Sequence, residues 1–257
     1  MPLKVAGPGA AAPSQSGMDG IDYELGADYW SKVDPTIDGM LGGFAQISPL
    51  DIEGSSKFLK WCLKGSWSES GSPSTGRALD CGAGIGRVTK YLLQRHFQTV
   101  DMVEQDAKFL DHSRAYLGPT SKVDQRFCSG LQSFTPQSAH YDVIWSQWVL
   151  GHLADSDLVA FFQRCARGLK ANGVLIVKEN TTSSDTVEQD PQDGSVTRPD
   201  ALLKSLFAQA DLVLIKDLQQ LKFPAELYPV KMYALRPKTA SDSPDEAKLK
   251  AVGMLPD

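Results

Sequence analysis

Cysteine and histidine are both scarce, four of each in 257 residues, and neither is grouped. Cys62, Cys81, Cys128 and Cys165 form no Cys-x-x-Cys pair, and the histidines fall at no His-x-x-His or His-x-x-x-His spacing. These gaps leave no ligand set for a metal, and none is expected. Scattered thiols in apolar or strand-like settings read as reduced core or near-core residues. Long hydrophobic runs are missing as well. No stretch approaches the ~18 apolar residues of a membrane span, and the Ala/Gly/Pro/Ser-rich start, Met1 to Gly20, has no hydrophobic signal core. An intracellular protein with no membrane partner is expected. Basic residues are not in excess either. A net charge of −5 argues against direct nucleic-acid binding, which needs a basic face.

What is present is an ordinary globular composition, 42% hydrophobic and 22% charged, in a chain long enough to bury a core without staples. Residues 1–20 carry almost nothing that could be buried and read as a disordered tail. Residues 238–257 read as a second, charged tail, with room for a short helix around Asp245 to Val252. Between them, residues 21–237 show one alternating pattern. β-rich runs occur at Arg77–Cys81, Thr99–Glu104, Val123–Cys128, Tyr141–Ser146, Val174–Glu179, Leu212–Leu218 and Val230–Leu235. Helical periodicity fills the gaps. Leu158, Phe161, Phe162, Cys165 and Leu169 mark one helical face behind the capping cluster Asp155-Ser-Asp, and that helix should stop at Ala171-Asn-Gly173 with the glycine left-handed. The Val174–Val177 run is apolar throughout, as in a parallel strand covered on both faces. The expected fold is therefore α/β, doubly wound, with a mostly parallel seven-stranded sheet and a helical extension over Tyr23 to about Lys64.

The strongest local signal is Asp80-Cys-Gly82-Ala-Gly84-Ile-Gly86-Arg87, which follows a strand and opens a helix. Glycines at alternate positions let the backbone turn sharply and a ligand come close. Glu104 ends the next strand, where a carboxylate can hold two ribose hydroxyls. The loop departs from the dinucleotide pattern G-x-G-x-x-G, and Arg87 takes the last place. A cation in a first helical turn opposes the helix dipole by ~0.3–1 kcal/mol, so it is better explained by a ligand carboxylate. S-adenosylmethionine has a ribose and a carboxylate but no phosphate. Leu131 and Gln132 follow the third strand and Gln147 the fourth, all on the ligand side of such a sheet.

Motifs beyond the loop carry a resemblance. Tyr29-Trp30, Pro35-Thr-Ile-Asp38-Gly-Met-Leu-Gly42-Gly43, Tyr141-Asp-Val-Ile-Trp145, Gln147-Trp148, Gly151-His152-Leu153 and Val177-Lys-Glu-Asn180 closely resemble the protein N-terminal methyltransferases. These methylate the α-amine of proteins beginning Xaa-Pro-Lys or Xaa-Pro-Arg after methionine removal. The resemblance runs from about Tyr23 to Arg236. It implies a Rossmann-like class I methyltransferase fold, with a substrate-side hairpin or loop after the fifth strand. It also implies that Gly82, Arg87, Glu104, Leu131, Gln132 and Gln147 hold S-adenosylmethionine. Trp30 and Trp148, beside Tyr29, would flank the substrate's first residues, and Asn180 would bind its backbone. Asp193 and His152 match the general-base positions. Asp190 and Ser195 would meet the substrate lysine or arginine, with Leu227, Tyr228, Gly42 and Ile47 lining the groove.

On residue type alone these assignments stay open. The two tryptophans read equally as core or edge aromatics, His152 as a structural histidine, and Asp193-Gly194 as a hairpin turn in a solvated acidic stretch. Asp185 or Glu188 could stand in for Asp190, because Asn180 to Ser195 is about one residue longer than the pattern. The cofactor half is shared with methyltransferases of small molecules and with catalytically silent binding modules. The pairing of Trp30 and Trp148 with Asp190 and Asp193 suits a peptide end better.

Overall fold

The computed structural model describes residues 21–65, 67 and 71–242. The expected tail at 1–20 and the helix around Asp245 to Val252 lie outside the described residues. Asp22 begins the fold by capping α1 (Tyr23–Lys32), its carboxylate accepting the N–H groups of Glu24 and Leu25 at 3.0 and 2.9 Å. Those donors would otherwise be left open at a helix start. Thr36 caps α2 (Ile37–Met40) in the same way. α3 (Ser48–Lys64) carries Pro49 in its first turn, where a missing N–H costs nothing. These three helices form the N-terminal lobe.

Alternation then sets in. β1 (Arg77–Cys81) leads through the glycine loop into a π-type segment, Thr89–Leu93, that continues as α4 (Gln94–His96). β2 (Thr99–Glu104), α5 (Ala107–Leu117), β3 (Val123–Cys128) and β4 (Tyr141–Gln147) follow. α6 (Asp155–Gly168) returns to β5 (Leu169–Thr182), then come β6 (Glu188–Gln189), β7 (Val196–Pro199), α7 (Asp200–Gln209), β8 (Leu212–Gln219) and β9 (Val230–Pro237). Strands β3-β2-β1-β4-β5 are parallel in that order. β9 joins β5 antiparallel, and β8 pairs antiparallel with β9. The seven expected strands are thus present. β6 and β7 add the hairpin after strand five, β7 pairing parallel with Thr181 and Thr182 at the far end of β5.

Period-two alternation decides what each strand buries. In β4, Val143 and Trp145 pack with Phe58 and Leu59 of α3 and with Leu92, whereas Ile144 faces Phe161 and Phe162 of α6 and Phe207 of α7. Both faces are covered, which is why β4 is buried at all seven positions. The strand order reverses between β1 and β4. A ligand crevice opens there, at the strands' carboxyl ends.

Three details differ from the sequence reading. α6 ends at Gly168, not near Ala171-Asn-Gly173, because β5 starts at Leu169 and pairs that residue with Tyr141 before a bulge. Gly173 is not left-handed. A Cβ there would lie 2.9 Å from the Tyr141 carbonyl oxygen, so close strand approach rather than handedness demands glycine. Cys62, Cys81 and Cys165 are buried thiols as expected, but Cys128 is exposed, at the end of the edge strand β3. Beyond β9 the chain stays tied down as far as Asp242. Arg236 and Asp242 form two contacts of 2.6 Å, and the Lys238 N–H reaches the Asp211 carbonyl at 2.8 Å.

Candidate active site

One open cleft occupies the crevice above β1 and β4. Its floor is the glycine loop, where Gly82, Gly84 and Gly86 have φ of 69°, 53° and 87°. Residues with side chains are strained in that region. At Gly82 a Cβ would also lie 2.6 Å from the branched side chain of Val149. Asp80 secures the turn from below. Its carboxylate accepts the Thr89 N–H at 3.0 Å and the Thr89 hydroxyl at 2.6 Å, and burial pushes its pKa up to about 6.

Glu104 stands where β2 ends. One oxygen accepts the Gly84 N–H at 2.9 Å and the other the Asp106 N–H at 3.1 Å. Burial raises its pKa above the ordinary carboxylate value. Each oxygen keeps a lone pair for a ligand hydroxyl. Gly82, Arg87, Glu104, Leu131, Gln132 and Gln147, the six residues expected to bind cofactor, all line this one cleft.

Arg87 is not a surface arginine: it is 5% exposed and points back beneath the loop. Its Nη1 donates to Asp51 at 2.7 Å and to Ser48 Oγ at 3.3 Å. Gln147 Nε2 reaches the same carboxylate at 3.0 and 3.1 Å. Sequence reasoning missed Asp51, which sits on α3 and is 0% exposed. Lys178 was quoted only within a motif. Its charge follows directly on the apolar run Val174–Val177 in a fully buried stretch of β5, but only the structure shows that burial.

The other end of the cleft is aromatic and acidic. Trp148 follows β4 with φ of 53°, its backbone held by an N–H bond to the Lys178 carbonyl at 3.0 Å. A non-glycine residue is kept left-handed only where its surroundings determine it, as functional sites often do. Ile47, Leu227, Leu41 and Val230 pack around the Trp148 ring. Gly42, left-handed at φ 59°, closes the turn after α2 just before that group. Trp30 also lines the cleft, in edge contact with Tyr29 at 5.5 Å between ring centroids. Its indole N–H donates to His152 Nε2 at 3.0 Å.

Asp193 lies 3.9 Å from the same histidine nitrogen, measured from Oδ2, and is 1% exposed. Its other oxygen accepts both the N–H and the hydroxyl of Ser195, at 3.0 and 2.6 Å. The structure therefore uses Ser195 to fix Asp193. Asp190 opens the same turn, and its backbone pairs with Ser195 and Gly194. Tyr29 has its pKa raised by burial, then by the charges of Asp193 and Asp190, so all three converge. Tyr228 donates its hydroxyl to Glu188, and its pKa is raised by burial, that bond and the charges of Glu188 and Asp190. Asp185 is exposed.

Two residues outside the expected set hold His152 in place. Arg198 on β7 donates to the carbonyls of Leu150 and Leu153 at 3.0 and 2.6 Å and pairs with Asp155. Tyr23 on α1 donates to Asp157 and accepts the Ala154 N–H. Asn180 is 1% exposed at the end of β5, and among the described residues neither atom of its amide has a hydrogen-bond partner. A buried amide left in that state costs ~1–3 kcal/mol, which a ligand backbone would recover. No group of three metal-ligating side chains stands together among the described residues. No described helix is long and apolar enough to cross a membrane.

Comparison with known proteins fits this geometry. The family model described as AdoMet dependent proline di-methyltransferase matches residues 19–236. A zebrafish (Danio rerio) protein named N-terminal Xaa-Pro-Lys N-methyltransferase 1 is 49% identical over 215 residues, covering 83% of this chain and 95% of the relative. The Caenorhabditis elegans alpha N-terminal protein methyltransferase 1 is 43% identical over 216 residues, covering 84% and 91%. Among solved structures, a SAM-dependent methyltransferase from Leishmania major superposes with a TM-score of 0.78 at 36% identity, covering 83% of this chain and 82% of that one.

Proposed function

The chain belongs to the AdoMet-dependent proline di-methyltransferase family, and we propose that it methylates the free α-amine of proteins beginning Xaa-Pro-Lys or Xaa-Pro-Arg once the initiator methionine is gone. The observation that carries this reading is that Trp30, Trp148 and His152 line the same cleft as the residues that suit S-adenosylmethionine, with Asp193 3.9 Å from His152. The fit of the cofactor rests on the left-handed glycine floor, the Glu104 carboxylate at the ribose position and the Arg87 and Gln147 donors at the carboxylate position. When bound, S-adenosylmethionine supplies an electrophilic methyl group on a sulfonium.

The protein's own part is to position an amine and take one proton. An α-ammonium has a pKa of about 7.7–8, against about 10.4 for lysine, so its neutral form is accessible near pH 7. Asn180 offers its amide to the substrate backbone, and Tyr29, Trp30 and Trp148 wall a slot for the first residues and the proline ring. Holding the amine in line there supplies much of the rate. Asp193, oriented by Ser195, and His152 receive the proton. Asp190, beside Ser195, meets the substrate cation and disfavours an anion. Gly42, Ile47, Leu227 and Tyr228 line the groove. The compartment that goes with this reading, cytoplasm and/or nucleus, is checked by fractionation.

Mass spectrometry tests the activity with S-adenosylmethionine and two peptides, one beginning Ser-Pro-Lys and one identical but N-acetylated. Methyl gain on the free peptide alone is the expected result. Gain on both moves the target to a side chain, and gain on neither, with the cofactor bound, points to a small-molecule substrate or a silent binding module.

A further inference from the structure

Beneath the cofactor end of the cleft lies a buried charge cluster, only part of which a ligand could reach. Asp51 is its hub, with Arg87 Nη1 at 2.7 Å and Lys178 Nζ at 2.6 Å. Lys178 is 0% exposed and does not line the cleft. Its ammonium has three protons, and three side-chain acceptors surround it: Asp51, Ser55 Oγ at 3.0 Å and Gln220 Oε1 at 2.8 Å. The Gln220 amide N–H turns the other way, to the Leu221 carbonyl at 3.1 Å, which keeps its oxygen toward the lysine. The hydrogen bonds and the Asp51 carboxylate therefore suit the charged form of Lys178, against burial and the Arg87 charge, which lower its pKa. In return Lys178, together with Arg87, holds the Asp51 carboxyl below its usual range, against a burial effect that would raise it.

The charge count is what matters. Asp51 and Arg87 alone would make a neutral buried pair, and the cleft above them would carry no net attraction for an anion. Lys178 brings a second cation to the same carboxylate, so these three side chains carry one positive charge in excess, which Asp80, whose carboxyl also feels Arg87, offsets in part. Arg87 is the member that reaches the cleft. Among the described residues both of its hydrogen bonds leave from Nη1, which leaves Nη2 and Nε for a ligand. In a site poor in water, one uncompensated charge outweighs a neutral pair by a wide margin.

We propose that Lys178 is a specificity-determining positioning residue: by compensating Asp51 from behind, it leaves the charge of Arg87 for the cleft and makes the site select nucleosides that carry a carboxylate. This rests on the reading of the cleft as the S-adenosylmethionine site. It assigns the selectivity to a residue that never touches the ligand, through a carboxylate on a helix of the N-terminal lobe. It also explains why β5 places a lysine directly after its apolar run, at a position with no solvent.

Calorimetric binding without peptide tests the proposal, using S-adenosylmethionine and decarboxylated S-adenosylmethionine, which differ in the carboxylate alone. Wild-type protein should prefer the carboxylate form. Lys178→Gln, which keeps a hydrogen-bonding side chain and removes the charge, should reduce that preference by about tenfold or more while leaving the decarboxylated ligand's affinity nearly unchanged. The double variant Asp51→Asn/Lys178→Gln, with Arg87 again uncompensated, should restore the preference. Equal weakening of both ligands by Lys178→Gln would make the lysine merely structural and overturn the proposal. A double variant no better than the single would do the same. Should Lys178→Gln fail to fold, Asp51→Asn carries the test: it frees both cations and should raise the preference above wild type, and an unchanged or lower preference counts against the idea. Wild-type protein that binds neither nucleoside overturns the cofactor reading itself, and this proposal with it.

Discussion

The two ends of the cleft are built differently. The cofactor end comes largely from the turns that follow β1, β2, β3 and β4, so each contribution is a short segment placed by the strand before it. The opposite end gathers α1, the turn after β4, the end of β5, the β6–β7 hairpin and the segment before β9. Their charged groups differ as well. Arg87 and Glu104 line one end, whereas Asp193 and Asp190 stand beside Tyr29 at the other. Backbone conformation does most of the work at the glycine loop, and oriented side chains do it around Asp193. A change at the first end should therefore act on ligand affinity, and a change at the second on turnover and peptide choice.

The largest separation of the two is expected from Asp193→Asn. Its turnover should fall by roughly 10²–10⁴-fold, the range of a lost proton acceptor, with S-adenosylmethionine affinity unchanged in a binding titration. Unchanged turnover would remove the residue from the reaction. Gly82→Ala should do the reverse. With φ of 69° and a Cβ 2.6 Å from Val149, the loop must shift, and cofactor affinity should fall about tenfold or more for a strain of ~1–2 kcal/mol. Affinity within twofold of wild type would mean that the loop does not need its glycine there. Asp190→Asn should raise KM for a Ser-Pro-Lys peptide by about fivefold with little effect on kcat, since a partly exposed charge contributes only ~1 kcal/mol. A fall in kcat instead would place Asp190 among the groups that handle the proton.

The smallest effect concerns stability and pH. Asp80 has its pKa raised by burial from 3.8 to about 6 in the folded state. A raised pKa means a contribution that is present below the unfolded value and lost as pH rises through the folded one. Asp80→Asn is neutral throughout, so its melting temperature should exceed that of wild type above pH ~6, with the gap closing as pH falls toward ~4. A gap independent of pH would show that the Thr89 contacts, and not the charge, set the effect.

Much of this was legible before any coordinates. Six of the seven strands begin where their β-rich runs begin, and β5 starts five residues before its run; the signal is plainest in β4, buried at every position because both faces are covered. The six cofactor residues converged because a glycine-rich turn and the strand ends of a doubly wound sheet have few ways to be arranged. The acidic stretch was harder to read. Glu188, weighed there as a stand-in for Asp190, is instead the partner of Tyr228. Asp51 and Lys178 could not be paired in advance, since they lie 127 positions apart and meet only when α3 packs on the sheet. Arg198 lies 46 positions beyond His152 in sequence, yet its donors hold the carbonyls of Leu150 and Leu153 on either side of that histidine.

The amino-acid sequence by itself determined the strand order of chemistry along the chain: a tight glycine turn, a carboxylate one strand later, and aromatic and acidic residues after strands four and five. These follow from local rules of backbone conformation and periodic burial, which a linear chain carries openly. Only the tertiary structure decided which charges meet. Whether Arg87 is cancelled by Asp51 or released by Lys178, and whether Ser195 faces a substrate or fixes Asp193, depends on contacts of about 3 Å or less between distant segments. Coulomb energy in a dry interior changes steeply over such distances, and sequence spacing does not encode them.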